Sequence, residues 1–354
     1  MAAAAFCPAL LAAPPPGSAV RVLSPTFFPG WQMYNVCYPF VVQEGGTYRM
    51  HYSGSGTEQV NDSVWDQWMT GSVTSADTLS WRRPDDYEQT LFARKCYVGD
   101  VLNPDELAAS FDSVFAIGLC VLKEDSTYKG WYTGWNGEFE HTGGGICKKI
   151  NFRVGHATSP DGIRWSKKAG DAGAGAVLGL GAAGQQDARG VAHPHVLKMG
   201  GEYRMWYEGY DGTTWRLFWA TSSDGINWTR QGLALGPGGA TSRDHRGLRN
   251  PLVFSRKGKY ELWYQGQSTA APNFHILRAT SEDARTWTKL PGEVTLHPES
   301  PPTGSESILV DSALVLPDGA VQVFFAKQVS TSRSVDFGTA TIQSYHIYTE
   351  VVNP

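Results

Sequence analysis

Tyr203-Arg-Met-Trp-Tyr-Glu-Gly209 and, after a short polar turn, Ala220-Thr-Ser-Ser-Asp-Gly-Ile-Asn-Trp228 form one copy of a unit that the chain repeats. The second half, Ser-x-Asp-x-x-x-Trp, occurs at Ser75 to Trp81, Ser159 to Trp165, Ser222 to Trp228 and Ser281 to Trp287, each time directly after a Thr. The first half returns as Tyr48-Arg-Met-His-Tyr52, Tyr128-Lys-Gly-Trp-Tyr132 and Tyr260-Glu-Leu-Trp-Tyr264, with a weaker fifth copy at Val321-Gln-Val-Phe-Phe325. Polar and aromatic residues alternating at period two predict strands, and Gly-containing turns between such runs predict hairpins. Each unit therefore reads as a small antiparallel sheet. Sheets of about four strands repeated along a chain bury their faces by stacking on one another, so five units predict an all-β, five-bladed β-propeller with four-stranded antiparallel blades around a central funnel.

Aligned on the aromatic strands, the blades run from about Trp31 to Arg83, Phe111 to Ser166, Gln186 to Arg230, Arg243 to Lys289, and Ser305 to the C-terminus. The fifth unit lacks the Ser-x-Asp-x-x-x-Trp mark. Its outer strand is expected from Val20-Arg-Val-Leu23, which would seal the ring and remove two exposed sheet edges. Residues 1–20 read as a disordered or targeting tail and 21–354 as a single propeller domain. Two long insertions, Gly54 to Gly71 and Trp135 to Asn151, are expected as loops, the latter with a mobile Gly143-Gly-Gly145 segment over the funnel. A short helix is expected after Asn103.

The 354 residues carry 30 basic and 34 acidic side chains, interspersed, for a net charge of -4. This gives no electrostatic footprint for nucleic acid or an anionic membrane, and no run of about 18 apolar residues predicts a spanning helix. Five cysteines without a Cys-x-x-Cys pair point to reduced thiols rather than a zinc site or a disulfide framework. The N-terminal twenty residues are uncharged and make a weak transit peptide at best, so cytoplasmic and organellar locations both stay open.

The strand at 203–209 with the mark at 220–228 resembles the repeat of the five-bladed propeller glycosidases, the arabinanase, levansucrase and invertase superfamily of glycoside hydrolase families 43 and 32. The resemblance covers roughly residues 31–342. It implies a central funnel whose inner strands carry an Asp just before a Pro as base or nucleophile, a second Asp that tunes it, and a Glu as acid. The chemistry needs two carboxyl groups flanking a glycosidic bond, one ionised and one protonated. Here the pre-proline positions, counted back from each aromatic-strand landmark, are Tyr38, Gly118, His193, Asn250 and Asp311. One of the five is acidic, so the usual carboxylate positions are not kept.

A further set of acids recurs seven residues before the proline-equivalent positions Leu119, Pro194 and Pro251: Asp112, Asp187 and Asp244, with Glu306 beside the fifth equivalent, Ser305. Either each Asp secures its own strand-entry turn, or the three converge on the funnel with Asp311 as catalytic carboxylates. Arg189 and Arg246, two residues after their aspartates, either pair with them or offer forks to a carboxylate, phosphate or diol. His193, His195, Arg249, Asn250 and Tyr38, with His245 in the matching loop of the next blade, are candidate ligand-binding groups, and Trp65, Trp68, Trp135, Tyr210 and Trp215 are loop aromatics suited to stacking on a sugar. The leading expectation is a glycosidase-like enzyme acting on a carbohydrate or glycoside, with Asp187 and Asp244 as the base and tuning pair, Glu306 or Asp112 as the acid, and no cofactor and no metal. The alternatives are a non-catalytic propeller that binds sugar or protein, and an enzyme that uses the funnel His, Tyr and Arg for acid-base chemistry on another metabolite. A phosphate-accepting site would point to phosphorolysis.

Overall fold

The computed structural model describes residues 14–25, 35–60, 63–83, 100–102, 110–113, 115–142, 145–268, 274–296, 308–335 and 338–354. Five antiparallel blades surround an axis. Their inner strands are Asn35–Glu44, Phe115–Glu124, Gly190–Met199, Gly247–Arg256 and Ile308–Val315. Each inner strand touches the next, and the fifth touches the first. The second strands are Thr47–Val60, Thr127–Trp135, Glu202–Tyr210, Lys259–Gln267 and Val321–Val335, and they carry the aromatic alternation. In the third blade Tyr203, Met205 and Tyr207 pack toward the second blade, while Trp206 packs toward the fourth. A strand apolar on both faces is what a sheet sandwiched between two others requires.

Third strands follow at Ser63–Ser75, Arg153–Ser159, Trp215–Ser222, Phe274–Ser281 and Gly338–Val352. Fourth strands are Ser166–Lys168, Thr229–Leu235 and Thr288–Lys289 in the middle blades, and a single bridge, Thr74 to Arg82, in the first. The fifth blade is closed by Val20–Leu23, which pairs antiparallel with the last strand (Val20 opposite Thr349, Arg21 opposite Tyr348). The chain's two ends thus share one sheet, as the missing fifth mark predicted.

The Ser-x-Asp-x-x-x-Trp mark is a turn between third and fourth strands. In the third blade Asp224 Oδ1 accepts from Ser222 Oγ at 2.9 Å and from the amides of Ile226 and Asn227 at 2.8 Å each, and Trp228 Nε1 donates to Gly225 O at 3.0 Å. The residue after the Asp has left-handed backbone in all four copies: φ 66° at Thr78, 74° at Gly162, 83° at Gly225 and 55° at Ala284. The stretch expected as a loop at 54–71 is instead a long hairpin, its ladder continuous from Tyr48 opposite Ser75 to Val60 opposite Ser63. The second insertion carries a small hairpin, Phe139–Thr142 with Gly145–Lys148. Gly143, Gly144 and the helix expected after Asn103 lie outside the described residues.

Every inner strand breaks its ladder at the same place, between Cys37 and Phe40, Ile117 and Cys120, Ala192 and His195, Arg249 and Leu252, and Val310 and Ser312. In four blades the bulged residue has positive φ: Tyr38 at 51°, Gly118 at 64°, His193 at 46° and Asn250 at 49°. A bulge re-aims a side chain, and left-handed backbone at a non-glycine residue stores local strain that concentrates at functional positions. These bulges bring Tyr38, Gly118, His193, Asn250 and Asp311 together around one narrow cavity.

Candidate functional site

The site is assembled by a bond that recurs from blade to blade. The residue after each Tyr-x-x-x-Tyr strand, or its equivalent, is Ser53, Thr133, Glu208, Gln265 or Ala326. Ser53 Oγ accepts from the amide of Gly118 at 3.0 Å, Thr133 Oγ1 from that of His193 at 2.8 Å, and Glu208 Oε1 from that of Asn250 at 2.6 Å. Each of these three residues fastens the bulge of the next blade, and a hydroxyl suffices for that. The third blade uses a carboxylate instead, which leaves oxygen lone pairs for other partners.

Those partners are His193, whose Nδ1 lies 2.8 Å from Glu208 Oε1, and Arg249, whose Nε donates to Oε2 at 3.1 Å. Glu208 is wholly buried. Burial by itself would raise its pKa, but the Arg249 charge, His193 and the Asn250 amide more than offset it and hold the group at about 2. With Glu208 ionised, Nδ1 of His193 must carry the hydrogen, so Nε2 of the neutral ring carries the lone pair. That Nε2 is buried and has no hydrogen-bond partner among the described residues. The ring packs on Tyr38 with centroids 4.9 Å apart, and Arg249 lies over the Trp215 ring at 4.6 Å, with Tyr210 stacked on Trp215.

A second carboxyl group closes the arrangement. Asn250 Nδ2 donates to Asp311 Oδ1 at 3.2 Å, while Asp311 Oδ2 is buried and unpartnered among the described residues. Burial first, and the Glu208 charge second, push the Asp311 pKa well above the ordinary carboxylate value. The pKa values of two acids that share Asn250 are thus pushed in opposite directions, a pattern found where a site divides acid and base roles. Tyr38 also stays protonated, chiefly through burial and the neighbouring Cys37.

Two cavities meet at this floor. The wider, about 390 Å³, is walled by Phe115, Ile117, Ile150, Phe152 and Trp215, with Thr133, Tyr38, His193 and Arg249 beneath. The narrower, about 30 Å³, lies along the axis and is bordered by Tyr38, Gly118, His193, His195, Asn250 and Asp311 among others. Tyr38 and His193 belong to both.

The structure does not bring Asp112, Asp187 and Asp244 to either cavity. Each sits inside its own blade, accepts from the Tyr twenty residues on, and pairs with a cation from the fourth strand. Tyr132 donates to Asp112 at 2.7 Å, Tyr207 to Asp187 at 3.0 Å and Tyr264 to Asp244 at 3.1 Å. The cations are Lys167 at 2.8 Å, Arg230 at 2.8 Å and Lys289 at 2.5 Å. The recurring Asp ties inner, second and fourth strands together, which is the turn-securing alternative raised by the sequence, with the cation supplied by the fourth strand.

Arg189 and Arg246 stand exposed at strand entries, where their amides donate to Tyr210 O and Gln267 O at 2.9 Å each. His245 turns back locally, its Nδ1 2.9 Å from Ser242 O. His195 lies 5.8 Å from the Phe40 ring and borders the axial cavity, and burial lowers its pKa to about 4. Trp135 is packed behind the funnel wall, with its ring 5.4 Å from Phe115 and Nε1 donating to Lys149 O at 3.0 Å. Glu306 lies outside the described residues. The residue that sequence reasoning missed is Glu208. Its signal was present in the aligned second strands, where it is the one ionisable side chain at a position otherwise held by Ser53, Thr133, Gln265 and Ala326.

No family model matches the chain. An uncharacterised protein of Mycobacterium tuberculosis is 27% identical over 203 residues, covering 54% of this chain and 59% of that protein, so the chain spans less than two thirds of the length of the curated relatives it matches. Among solved structures, a glycosyl hydrolase from Bacteroides ovatus superposes with a TM-score of 0.63 at 15% identity, covering 95% of this chain and 94% of its own. A β-1,2-mannobiose phosphorylase from Listeria innocua superposes with a TM-score of 0.63 at 9% identity, covering 94% and 96%. At such identities the likeness is one of fold: the chain has the five-bladed propeller architecture that these two enzymes also have.

Proposed function

We propose that this propeller admits a small carbohydrate-like ligand to its 390 Å³ funnel and moves a proton at the funnel floor through the Glu208–His193 pair. The observation that carries the reading is the His193 ring, locked at Nδ1 by a buried ionised carboxylate and bordering the cavity with an Nε2 that no described residue bonds. An imidazole so oriented accepts a proton at Nε2 and returns it, while the carboxylate stabilises the imidazolium that forms.

Both Glu208 oxygens are already engaged, so Glu208 acts through His193 rather than on the ligand. Arg249, held over the Trp215 ring, turns its remaining guanidinium hydrogens to ligand oxygens, and the Tyr38 hydroxyl remains a donor. Among the described residues no pair of open carboxylates flanks the wide cavity, since neither Glu208 nor Asp311 borders it. That lining, free of acids among the described residues, favours the second reading, a propeller that binds its ligand without turning it over.

Both readings meet one experiment. Wild type and His193→Gln are assayed against a panel of nitrophenyl glycosides, with and without inorganic phosphate, and binding is followed separately by calorimetry. Turnover by wild type that drops at least a hundredfold in the variant supports the acid-base reading. Binding without turnover in wild type supports the second, and turnover unaltered by the substitution removes the first.

A further inference from the structure

We propose that the axial cavity is a built site for a single water molecule that bridges Asp311 Oδ2 to His193 Nε2 and carries a proton between them. Three observations converge on it. Both atoms are buried, neither has a hydrogen-bond partner among the described residues, and both residues border the same cavity of about 30 Å³. A buried polar atom without a partner is destabilising, and a space of this size holds one water once polar groups line it.

The polarity of the two ends is complementary. His193 Nδ1 donates to Glu208, so Nε2 is an acceptor in the neutral ring. Asp311 Oδ1 accepts from Asn250, so the hydrogen of the neutral carboxyl belongs on Oδ2, making it a donor. A water between them accepts from Asp311 and donates to His193. Transfer along this path moves one proton from Oδ2 to the water and another from the water to Nε2. The products are carboxylate and imidazolium, with no net change of charge and no exchange with bulk solvent.

The neighbouring titratable groups do not compete for that role. Glu208 is consumed by Arg249, His193 and Asn250, and Cys37 and Tyr38 are held protonated, mainly by burial. His195 stays neutral for the same reason. The site rests on the functional reading of His193, whose single Nε2 lone pair the water occupies until a ligand takes its place, but its test measures density and titration rather than turnover, so either can fail alone.

The first measurement is a crystal structure of the full wild-type chain at a resolution that places ordered waters. One water within hydrogen-bond distance of both atoms is expected. An empty cavity, or density whose contacts fit a cation, overturns the proposal. The second is nitrogen-detected NMR titration of His193 in wild type and Asp311→Asn. In wild type the Nε2 resonance should show a second inflection as Asp311 loses its proton, and that inflection should vanish in the variant. Superimposable curves would overturn the relay, and if the variant does not fold the crystallographic arm still decides.

Discussion

Replacing Glu208 by Gln keeps the shape of the funnel floor and removes its charge, leaving Arg249 without its buried counter-ion. Losing one partner of a fully buried pair costs about 3–5 kcal/mol, but Arg249 is 30% exposed and solvent relieves part of this, so a loss of about 2–3 kcal/mol is expected in denaturant unfolding at pH 7. The folded-state pKa of Glu208 lies below its ordinary value of 4.5, so its contribution is present above that pH and disappears as the pH falls toward about 2. The gap between wild type and Glu208→Gln should therefore close across that window. Asp311 has the opposite sign. Its raised pKa means that wild type loses stability as pH climbs above 3.8 toward the folded-state value, so Asp311→Asn should unfold at a higher temperature than wild type at pH 8, by a margin that shrinks near pH 4. A margin independent of pH would show that Asp311 is not held protonated.

At the level of the element, the turn marks and the Asp–Tyr–cation sets do the structural work. A Cβ added at Gly225 would stand 2.8 Å from the Trp131 ring, at a φ of +83°. Left-handed backbone alone costs an L-residue about 1–2 kcal/mol, so Gly225→Ala should cost more than Gly200→Ala, whose added methyl meets nothing within 4 Å at a φ of +59°. Equal losses in the two variants would mean the blade contact at Trp131 yields freely. Asp187→Asn breaks the charge-assisted bonds to Arg230 and Tyr207, and a loss of about 1–3 kcal/mol is expected with funnel binding retained. Here the sequence was informative and misleading at once. Asp112, Asp187 and Asp244 recur because every middle blade needs the same internal tie. A site on a five-fold scaffold has to break the symmetry, so its members are singular: Glu208 where other blades have Ser53, Thr133 and Gln265, and His193 where they have Tyr38, Gly118 and Asn250. Counting back along the inner strands found His193, Asn250 and Asp311. Glu208 was overlooked because its strand was read only for its aromatics, and because what makes it an axial residue is a hydrogen bond to the following blade rather than anything in its own.

For the whole molecule, the ring was legible because each blade must be apolar on both faces, and because a fifth unit without an outer strand needs one from elsewhere. Removing residues 1–24 takes away Val20–Leu23 and bares the edge of the last strand, so the truncated chain should unfold at a lower temperature and over a broader range than the full one. The turn marks add to the acid limb of the stability curve. Backbone amides hold Asp77, Asp224 and Asp283 below the ordinary 3.8, Asp283 at about 2, so their contribution should be constant above about pH 4 and fall between there and about pH 2. On the proposed function, the chemistry belongs to the singular residues at the axis and not to the repeated acids in the blades. The most direct test titrates wild type, His193→Gln and Asp187→Asn side by side with the glycoside from the panel that wild type binds or turns over best. His193→Gln should lose the response while folded Asp187→Asn keeps it; loss in Asp187→Asn with His193→Gln unimpaired would place the chemistry in the blades instead.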